Sequence, residues 1–264
     1  MFDTHCHLQD ERIAGSVDDI LCRAGRAGVR RLLCCGSAEE DWAGVARIGA
    51  KYGGNADLCN SAVSVSCAFG VHPWYVDQAG DNWDTELEGY LNRDPSAAVG
   101  EIGLDNTVSP RNDVRQIDIF TRQLEIAGRF GRPVSIHCRK AWGSLLSILK
   151  NMGGLRCGGA IHSYSGPPDL VCELEKLGCC ISFSGSILIP GSKRAAESLK
   201  KVSPGKLLVE TDSPDILPPG VPGPFNEPAN IFTIINKAAE ILAKTPEEVA
   251  LLTYNNGLRL LNRK

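Results

Sequence analysis

The sequence of 264 residues lacks the features that mark several classes of protein. No apolar run is long enough to cross a bilayer, and no basic segment followed by an apolar one opens the chain. We therefore predict neither a membrane span nor a secretory signal. The phosphate-binding patterns GxGxxG and GxxxxGK[ST] are absent, which argues against a doubly wound nucleotide-binding fold. No linker-like or low-complexity stretch divides the sequence, so we expect one domain over residues 1–264.

An excess of basic residues is also missing. The chain has 28 Lys and Arg against 31 Asp and Glu, which gives a formal net charge of −3. Proteins that bind nucleic acid usually present a basic face. A local basic rim or bound cations can offset a mild negative charge, however. The composition therefore leaves a nucleic acid substrate open without predicting one.

The cysteines lack the spacing of a metal or redox motif. The eleven cysteines include no CxxC pair, and most lie in apolar runs such as RLLCCG and GCCISFSG. In such runs a free cysteine behaves as a small buried hydrophobic residue. We therefore predict free thiols and a reducing compartment, the cytoplasm in the first instance, with a nuclear or organellar location left open.

What the sequence does contain is a regular alternation of short apolar runs and helix-like stretches. Eight candidate strands are predicted at residues 1–5, 29–35, 63–73, 96–105, 132–138, 158–163, 178–185 and 205–214. Helix-like stretches lie between them at residues 16–28, 39–53, 113–131, 141–153, 168–178 and 191–202. Residues 245–261 are predicted to form a closing helix capped by Thr245 and Glu248. The predicted fold is α/β, a single (β/α)8 TIM barrel, whose active site would lie at the carboxyl ends of the strands.

The five histidines all fall at the ends of predicted strands. Asp3, His5 and His7 occupy alternate positions, which face the same side of an extended strand. The other three follow or end later strands: His72, His137 and His162. A purely structural role is the alternative for each histidine. His5 and His7 can lie in a surface turn, and His72 can shape a turn before Pro73. His137 and His162 can be hydrogen-bonded core residues. Their common placement favours one shared site.

Two carboxylates occur in the same register. Glu101 is assigned to the end of the fourth predicted strand and Asp212 to the end of the eighth. Imidazole and carboxylate together suit divalent ions such as Mg, Mn or Zn. Glu101 can bridge two ions, which would activate water and polarise a substrate, or it can be a simple salt-bridge partner. Asp212 can bind metal or accept the proton of the attacking water, and Asp3 would support the ligands from outside.

The motifs that carry these residues resemble those of a known family. In order they are DTHCHL, FGVHP, GEIGLD, IHCRKA, IHSYSG, ETDSP and NEPAN, and they span residues 3–230. This set is similar to that of the TatD family of metal-dependent deoxyribonucleases, which have amidohydrolase-like barrels. The resemblance implies a centre of two divalent ions and hydrolysis of DNA phosphodiester bonds, on single strands or ends. It implies no membrane association and no obligate protein partner.

The resemblance also implies a role for each site residue. One ion would be held by His5, His7, Glu101 and Asp212, and the other by Glu101, His137 and His162. Glu101, Asp212 and His72 would be the catalytic residues. His72 would face the scissile phosphate, and Arg139 and Asn226 would be further substrate contacts; for Arg139 a structural ion pair is the alternative.

The sequence departs from the family pattern near the predicted substrate site. The stretch PPGVPGPFNEP has no basic residue before Asn226, where family members often have one. Lys140 stands where an acidic residue is common. These departures keep two alternatives open: a barrel hydrolase acting on a C–N, lactone or ester bond, and a barrel retained as a binding module.

Overall fold

A computed structural model of the chain describes residues 1–54, 56–58 and 61–262. Nine strands form the sheet in this part of the chain. They are β1 (Phe2–Cys6), β2 (Arg31–Cys35), β3 (Ala56–Leu58), β4 (Ser61–Phe69), β5 (Ala98–Asp105), β6 (Val134–Arg139), β7 (Gly159–Ile161), β8 (Cys179–Phe183) and β9 (Leu207–Val209). The eight predicted strands are confirmed, with ends that differ by up to five residues, and only β3 was not predicted. The last strand ends at Val209, so Asp212 follows this strand rather than ending it.

The sheet is a parallel barrel. The strand order is β1-β2-β4-β5-β6-β7-β8-β9, all neighbours are parallel, and β3 pairs antiparallel with β4. Closure occurs beyond the end of β9, where the backbone N–H of Asp212 donates to His5 O and the N–H of His7 donates to Ser213 O. The predicted TIM barrel is therefore confirmed, and its closing seam joins two segments that carry predicted site residues.

The described residues contain nine α-helices. They are α1 (Val17–Arg26), α2 (Glu39–Tyr52), α3 (Trp83–Arg93), α4 (Asp113–Phe130), α5 (Trp142–Asn151), α6 (Val171–Lys176), α7 (Lys193–Lys201), α8 (Ile231–Leu242) and α9 (Pro246–Leu261). The sequence predicted all of these except α3 and α8. None of the described helices is long and apolar enough to span a membrane.

The core follows from the burial of the strands on both faces, which is usual for a parallel barrel. All eight residues of β5 are buried. The surrounding helices bury one face each; in α8 the buried positions are Ile231, Ile234, Ile235, Ala238 and Ala239, the spacing of a helical stripe. Burying each such isoleucine contributes about 1.5–3 kcal/mol. The barrel thus holds the strand ends in fixed relative positions.

The closing helix forms as the sequence predicts. Thr245 Oγ1 accepts a hydrogen bond from the N–H of Glu248, and the Glu248 carboxylate accepts one from the N–H of Thr245. Asn256 on α9 donates to the backbone oxygens of Pro204 and Leu207, both at 2.7 Å. These bonds tie α9 to the entry of β9, and so to the closing seam.

One prediction about the cysteines is wrong. Cys22 on α1 is disulfide-bonded, whereas the strand cysteines Cys34 and Cys35 are free thiols. The connectivity of cysteines that are distant in sequence cannot be deduced from sequence alone. Placement in an apolar run therefore predicts a free thiol correctly for the strand cysteines Cys34 and Cys35, whereas the prediction is wrong for Cys22.

Candidate metal centre

The histidines and carboxylates predicted to share a site lie together at the carboxyl ends of the strands, at the floor of a cavity of about 920 Å³. Glu101 was predicted at the end of a strand but lies in the middle of β5. It still reaches the floor because strands are staggered in a barrel. Its N–H donates to Gly36 O, directly after β2, and β4 pairs with β5 only up to Val99.

A first group of ligand atoms lies around one oxygen of Glu101. Its Oε2 is 3.2 Å from His5 Nε2 and 3.4 Å from His7 Nε2. The two imidazole nitrogens are 3.1 Å apart, and Asp212 Oδ1 is 3.8 and 3.7 Å from them. Four donor atoms from three separate chain segments therefore converge on one point.

A second group lies around the other oxygen of Glu101. Its Oε1 is 2.9 Å from His162 Nε2 and 3.1 Å from His137 Nδ1, and these two nitrogens are 3.2 Å apart. The His162 ring also stacks on His5, with centroids 4.1 Å apart. The Glu101 carboxylate thus divides its two oxygens between two pairs of histidines.

Outer hydrogen bonds orient all four of these rings and set the tautomer of three. His7 Nδ1 bonds to Cys35 O at 2.8 Å, His162 Nδ1 to Glu210 Oε1 at 3.1 Å, and His137 Nε2 to Asp105 Oδ2 at 3.2 Å. His5 Nδ1 lies 2.9 Å from Ser135 Oγ. In His7, His137 and His162 the outer nitrogen is the donor, since a carbonyl or carboxylate oxygen can only accept, and the inner nitrogen is left with a lone pair directed at Glu101. The Ser135 hydroxyl can donate or accept, so it orients the His5 ring without fixing its tautomer.

This arrangement fits a divalent cation in each group. In the second group two imidazole lone pairs face one another at 3.2 Å, and they repel unless a cation or a proton lies between them. Nitrogen with carboxylate oxygen is also the ligand chemistry of borderline divalent ions. The residues present therefore suit the metal that the motifs predict.

In His72 the proton lies on the nitrogen that faces the cavity, unlike in His7, His137 and His162. His72 Nδ1 accepts the backbone N–H of Trp74 at 3.1 Å, so in the neutral ring the proton is on Nε2. That Nε2–H faces Glu101 Oε1 at 3.4 Å. The possible ligand atoms of His72, Glu101 and His137 lie within 4.8 Å of one another. A protonated nitrogen cannot ligate a metal, however, so His72 presents a hydrogen-bond donor to the cavity.

Within the cluster the His72 ring is neutral, whereas Glu101 and Asp212 are charged. Burial lowers the pKa of His72 to about 4, so this ring is neutral near pH 7. Burial opposes ionisation of Glu101, but the surrounding imidazoles His162, His72 and His5 outweigh it and hold the Glu101 pKa well below its usual range. The pKa of Asp212 is likewise lowered, because the His7 hydrogen bond and nearby imidazoles outweigh its burial. Both carboxylates are therefore anionic.

Asp212 is held in position by the segment around it. Its φ of 59° lies in the left-handed region, which is unfavourable for a residue other than glycine. The preceding residue, Thr211, donates its N–H and its hydroxyl to the Asp3 carboxylate at 2.9 and 2.5 Å. Asp3 therefore fixes the approach to Asp212 from outside the two ligand groups.

Asn226 is placed away from the cavity. Its side chain is fully buried, and its Nδ2 donates to Thr211 O at 2.8 Å and to Ile216 O at 3.1 Å. The NEPAN motif was interpreted as a substrate contact, but an amide group that hydrogen-bonds the backbone beside Asp212 is not available for one. The structure instead gives Asn226 a role in holding the Asp212 loop.

The rim of the cavity contains Arg139 and two aromatic residues. The Arg139 side chain lines the cavity, and no residue in the described ranges pairs with it, so the alternative of a structural ion pair is not observed. Trp74 and Tyr75 also line the cavity. Tyr164 is buried, and its hydroxyl donates a hydrogen bond to Pro167 O.

Sequence reasoning missed the outer partners of the ligands. Glu210 and Asp105 are fully buried carboxylates that orient His162 and His137, and Ser135 lies behind His5. Glu210 is two residues before Asp212 and Asp105 is four residues after Glu101. A buried carboxylate so close to a predicted ligand was the available signal.

A parallel (β/α)8 barrel with a histidine–carboxylate cluster at the carboxyl ends of its strands defines a metal-dependent hydrolase. Residues 2–262 match the family described as TatD related DNase, and the chain belongs to this family. It is similar to YcfH of Escherichia coli (strain K12), named as a metal-dependent hydrolase, with 30% identity over 266 residues that cover 99% of this chain and 96% of that protein. YabD of Bacillus subtilis (strain 168), named likewise, is 28% identical and covers 98% of both chains.

A solved structure agrees with this assignment. The crystal structure of YjjV, described as a TatD homologue from Escherichia coli, superposes with a TM-score of 0.89. It is 29% identical in sequence and covers 98% of this chain and 97% of its own. Both the sequence and the fold therefore place the chain among TatD-family metal-dependent hydrolases.

Proposed function

We propose that this protein is a deoxyribonuclease that uses two divalent ions, Mg, Mn or Zn, to hydrolyse phosphodiester bonds at the ends of DNA or in single strands. The observation that carries the proposal is the division of the Glu101 carboxylate between two pairs of histidine nitrogens. Such a division suits a bridging carboxylate between two ions rather than one mononuclear site.

The ligands follow from the two groups. His5, His7, Glu101 Oε2 and Asp212 would hold the first ion, and Glu101 Oε1, His137 and His162 the second. When bound, the two ions would lower the pKa of water and neutralise charge on a phosphate. The protein fixes the positions of their ligands through the outer hydrogen bonds of each imidazole.

His72 and Asp212 have separable roles in this proposal. His72 is neutral and presents Nε2–H to the cavity, so it can donate a hydrogen bond to a phosphate oxygen on which charge develops. Asp212 Oδ1 lies 3.8 and 3.7 Å from His5 Nε2 and His7 Nε2, within the first group of ligand atoms. Of the two roles left open by the sequence, metal ligation is therefore favoured for Asp212.

The shape of the cavity supports a nucleotide at a chain end as the substrate. A volume of about 920 Å³ is in the range of small-molecule sites. The lining includes Arg139, Ser163, Ser165 and Ser186, which are suitable donors to phosphate oxygens. An extended duplex would not enter such a cavity, whereas a terminal or unstacked nucleotide can.

The test is hydrolysis of a short single-stranded DNA labelled at one end. Chelator-treated protein would be supplied with Mg, Mn or Zn in turn, and products resolved by length. We expect metal-dependent products that shorten stepwise from one end, and the position of the label gives the direction. Binding of two ions without any cleavage of DNA would contradict the proposal.

A second candidate, a barrel hydrolase acting on a small C–N, lactone or ester substrate, is favoured by one observation. The rim contains the carboxylates Asp10, Glu11, Glu40 and Asp215, and Arg12 is already paired with Asp10 and Asp215 at 2.8 Å each. An acidic rim disfavours a polyanion. A substrate panel of lactones, esters and hydantoins beside the DNA assay separates the two candidates.

A further inference from the structure

Trp74 is an exposed aromatic residue beside the candidate metal centre. Its side chain lines the cavity, and it is 52% exposed, although it is one of the largest apolar residues. Two other tryptophans, Trp42 and Trp83, are fully buried. An exposed indole in a cavity has no contribution to the core that would explain it, so it is a candidate for contact with a ligand.

The indole of Trp74 is fixed in orientation. Its Nε1–H donates to Asp105 Oδ2 at 2.9 Å, the same oxygen that accepts from His137 Nε2. Its ring meets the His72 ring edge to face, with centroids 4.9 Å apart and planes at 87°. A side chain held at both its N–H and its ring presents a fixed surface and loses little entropy when a ligand contacts it.

The position of Trp74 relates this surface to the reacting phosphate. The indole centroid is 6.4 Å from the ring of the candidate ligand His137 and 4.9 Å from His72, the proposed phosphate contact. These distances are within the span of one nucleotide. A phosphate bound over Glu101 would therefore place the base of the same nucleotide beside Trp74.

We propose that Trp74 is a stacking platform for the nucleobase adjacent to the scissile phosphate, so that the substrate is a nucleotide unit with its base intact. This inference rests on the proposed deoxyribonuclease function and adds the part of the substrate that is recognised. Stacking on an aromatic side chain is tolerant of sequence because every base has a π face. The platform thus selects for a base without selecting which base.

The first test compares oligonucleotides that end in a normal or an abasic nucleotide. For the unaltered protein we expect kcat/KM to be about tenfold higher or more for the normal end, from the usual strength of base–aromatic stacking. Trp74→Leu should lose this preference, and Trp74→Phe should keep most of it. Trp142→Leu is the matched control, since Trp142 packs on Tyr164 and does not line the cavity.

The Phe variant separates stacking from an indirect effect through Asp105. Phenylalanine retains a flat ring but cannot donate to Asp105, so equal losses in the Phe and Leu variants would overturn the platform. A direct readout is photocrosslinking of an oligonucleotide with 5-iodouracil at its end. We expect the adduct on Trp74, and an adduct only on residues elsewhere would also overturn the proposal.

Failure of this inference is distinguishable from failure of the proposed function. If DNA is cleaved with equal efficiency at normal and abasic ends, the platform is wrong and the deoxyribonuclease stands. If the metal-loaded protein cleaves no oligonucleotide at all, the proposed function is wrong and the platform falls with it.

Discussion

Among single residues, Glu101 is the one on which both ligand groups depend. Replacing it with alanine removes one ligand oxygen from each group. It also removes the negative charge that would help to hold a divalent ion beside the imidazoles. We expect Glu101→Ala to bind less metal and to lose hydrolysis by at least about a thousandfold. Metal content and turnover would be measured together, with folding followed by circular dichroism. Unchanged turnover would refute the bridging role, and Glu125→Ala on the exposed face of α4 is the control.

Glu210 tests the outer hydrogen bonds. Its Oε1 accepts from His162 Nδ1 and from the N–H of Ser163 at 2.6 Å, and Oε2 is buried without a partner in the described part of the chain. Glu210→Gln removes the negative charge that makes His162 a stronger ligand. We expect metal affinity to fall by about 10- to 100-fold. Calorimetric titration of the stripped protein would measure it, and equal affinities would show that orientation alone is sufficient.

Metal binding should be coupled to proton release. Burial opposes protonation of His7 and His162, but hydrogen bonds and charges from Glu101, Asp212 and Glu210 outweigh it and raise both pKa values well above 6.5. The stripped site therefore holds protons near pH 7 that a metal must displace. We expect affinity to rise with pH across neutrality. Titration calorimetry in buffers of different ionisation enthalpy counts the protons, and a count of zero would contradict this.

At the residue scale the sequence predicted the ligands but not their support. Histidine is scarce in this chain, so its placement at strand ends was informative for His5, His137 and His162. Glu210 and Asp105 belong to the much more common class of acidic residues, and their function depends on burial, which a single sequence does not display. Asn226 was predicted to contact the substrate for a related reason, since a motif does not show which backbone groups the side chain of each of its residues will contact.

At the scale of the elements, Gly103 allows β5 and β6 to pair closely. Its φ is 152°, and a Cβ there would collide with the carbonyl oxygen of His137 on the neighbouring strand. These two strands hold Glu101 and His137. We expect Gly103→Ala to lower the free energy of unfolding by about 1–3 kcal/mol and to weaken metal binding. Denaturant titration with metal analysis would check both effects.

Gly128 provides the matched control for this prediction. It lies within α4, and a Cβ there would meet nothing within 4 Å. Gly128→Ala should therefore be neutral or stabilising, by about 0.5–1 kcal/mol. A loss of stability as large as that of Gly103→Ala would indicate that the close approach of β5 and β6 is not the cause.

The elements that were predicted differ from those that were missed in their local sequence. The buried parallel strands can be predicted from the sequence because they are continuous apolar runs, as in RLLCC of β2. Helix α8 begins IFTII, a β-branched run that resembles a strand, and α3 contains Gly89 and follows a segment rich in Asp and Gly. Packing against the barrel overrides these weak preferences. The stagger that carries Glu101 to the cavity floor from the middle of β5 is likewise a tertiary property.

For the whole molecule, the charge of the rim bears on the choice of substrate. The net charge is −3, and the exposed Glu40 lines the cavity without a partner among the described residues. A carboxylate at the mouth repels a polyanion at a distance, and salt screens this repulsion. Glu40→Gln should therefore raise kcat/KM for a single-stranded oligonucleotide by about two- to fivefold at low salt.

The effect of Glu40 should depend on the length and charge of the substrate. A small phosphodiester carries one charge, so Glu40→Gln should change its kcat/KM much less than that of an oligonucleotide. The gain should also shrink as salt is raised, because the Debye length falls to about 8 Å at physiological ionic strength. Glu125→Gln, exposed and outside the cavity, is the control. Equal gains for both substrates would mean that Glu40 acts on the metal centre rather than on the approaching polyanion.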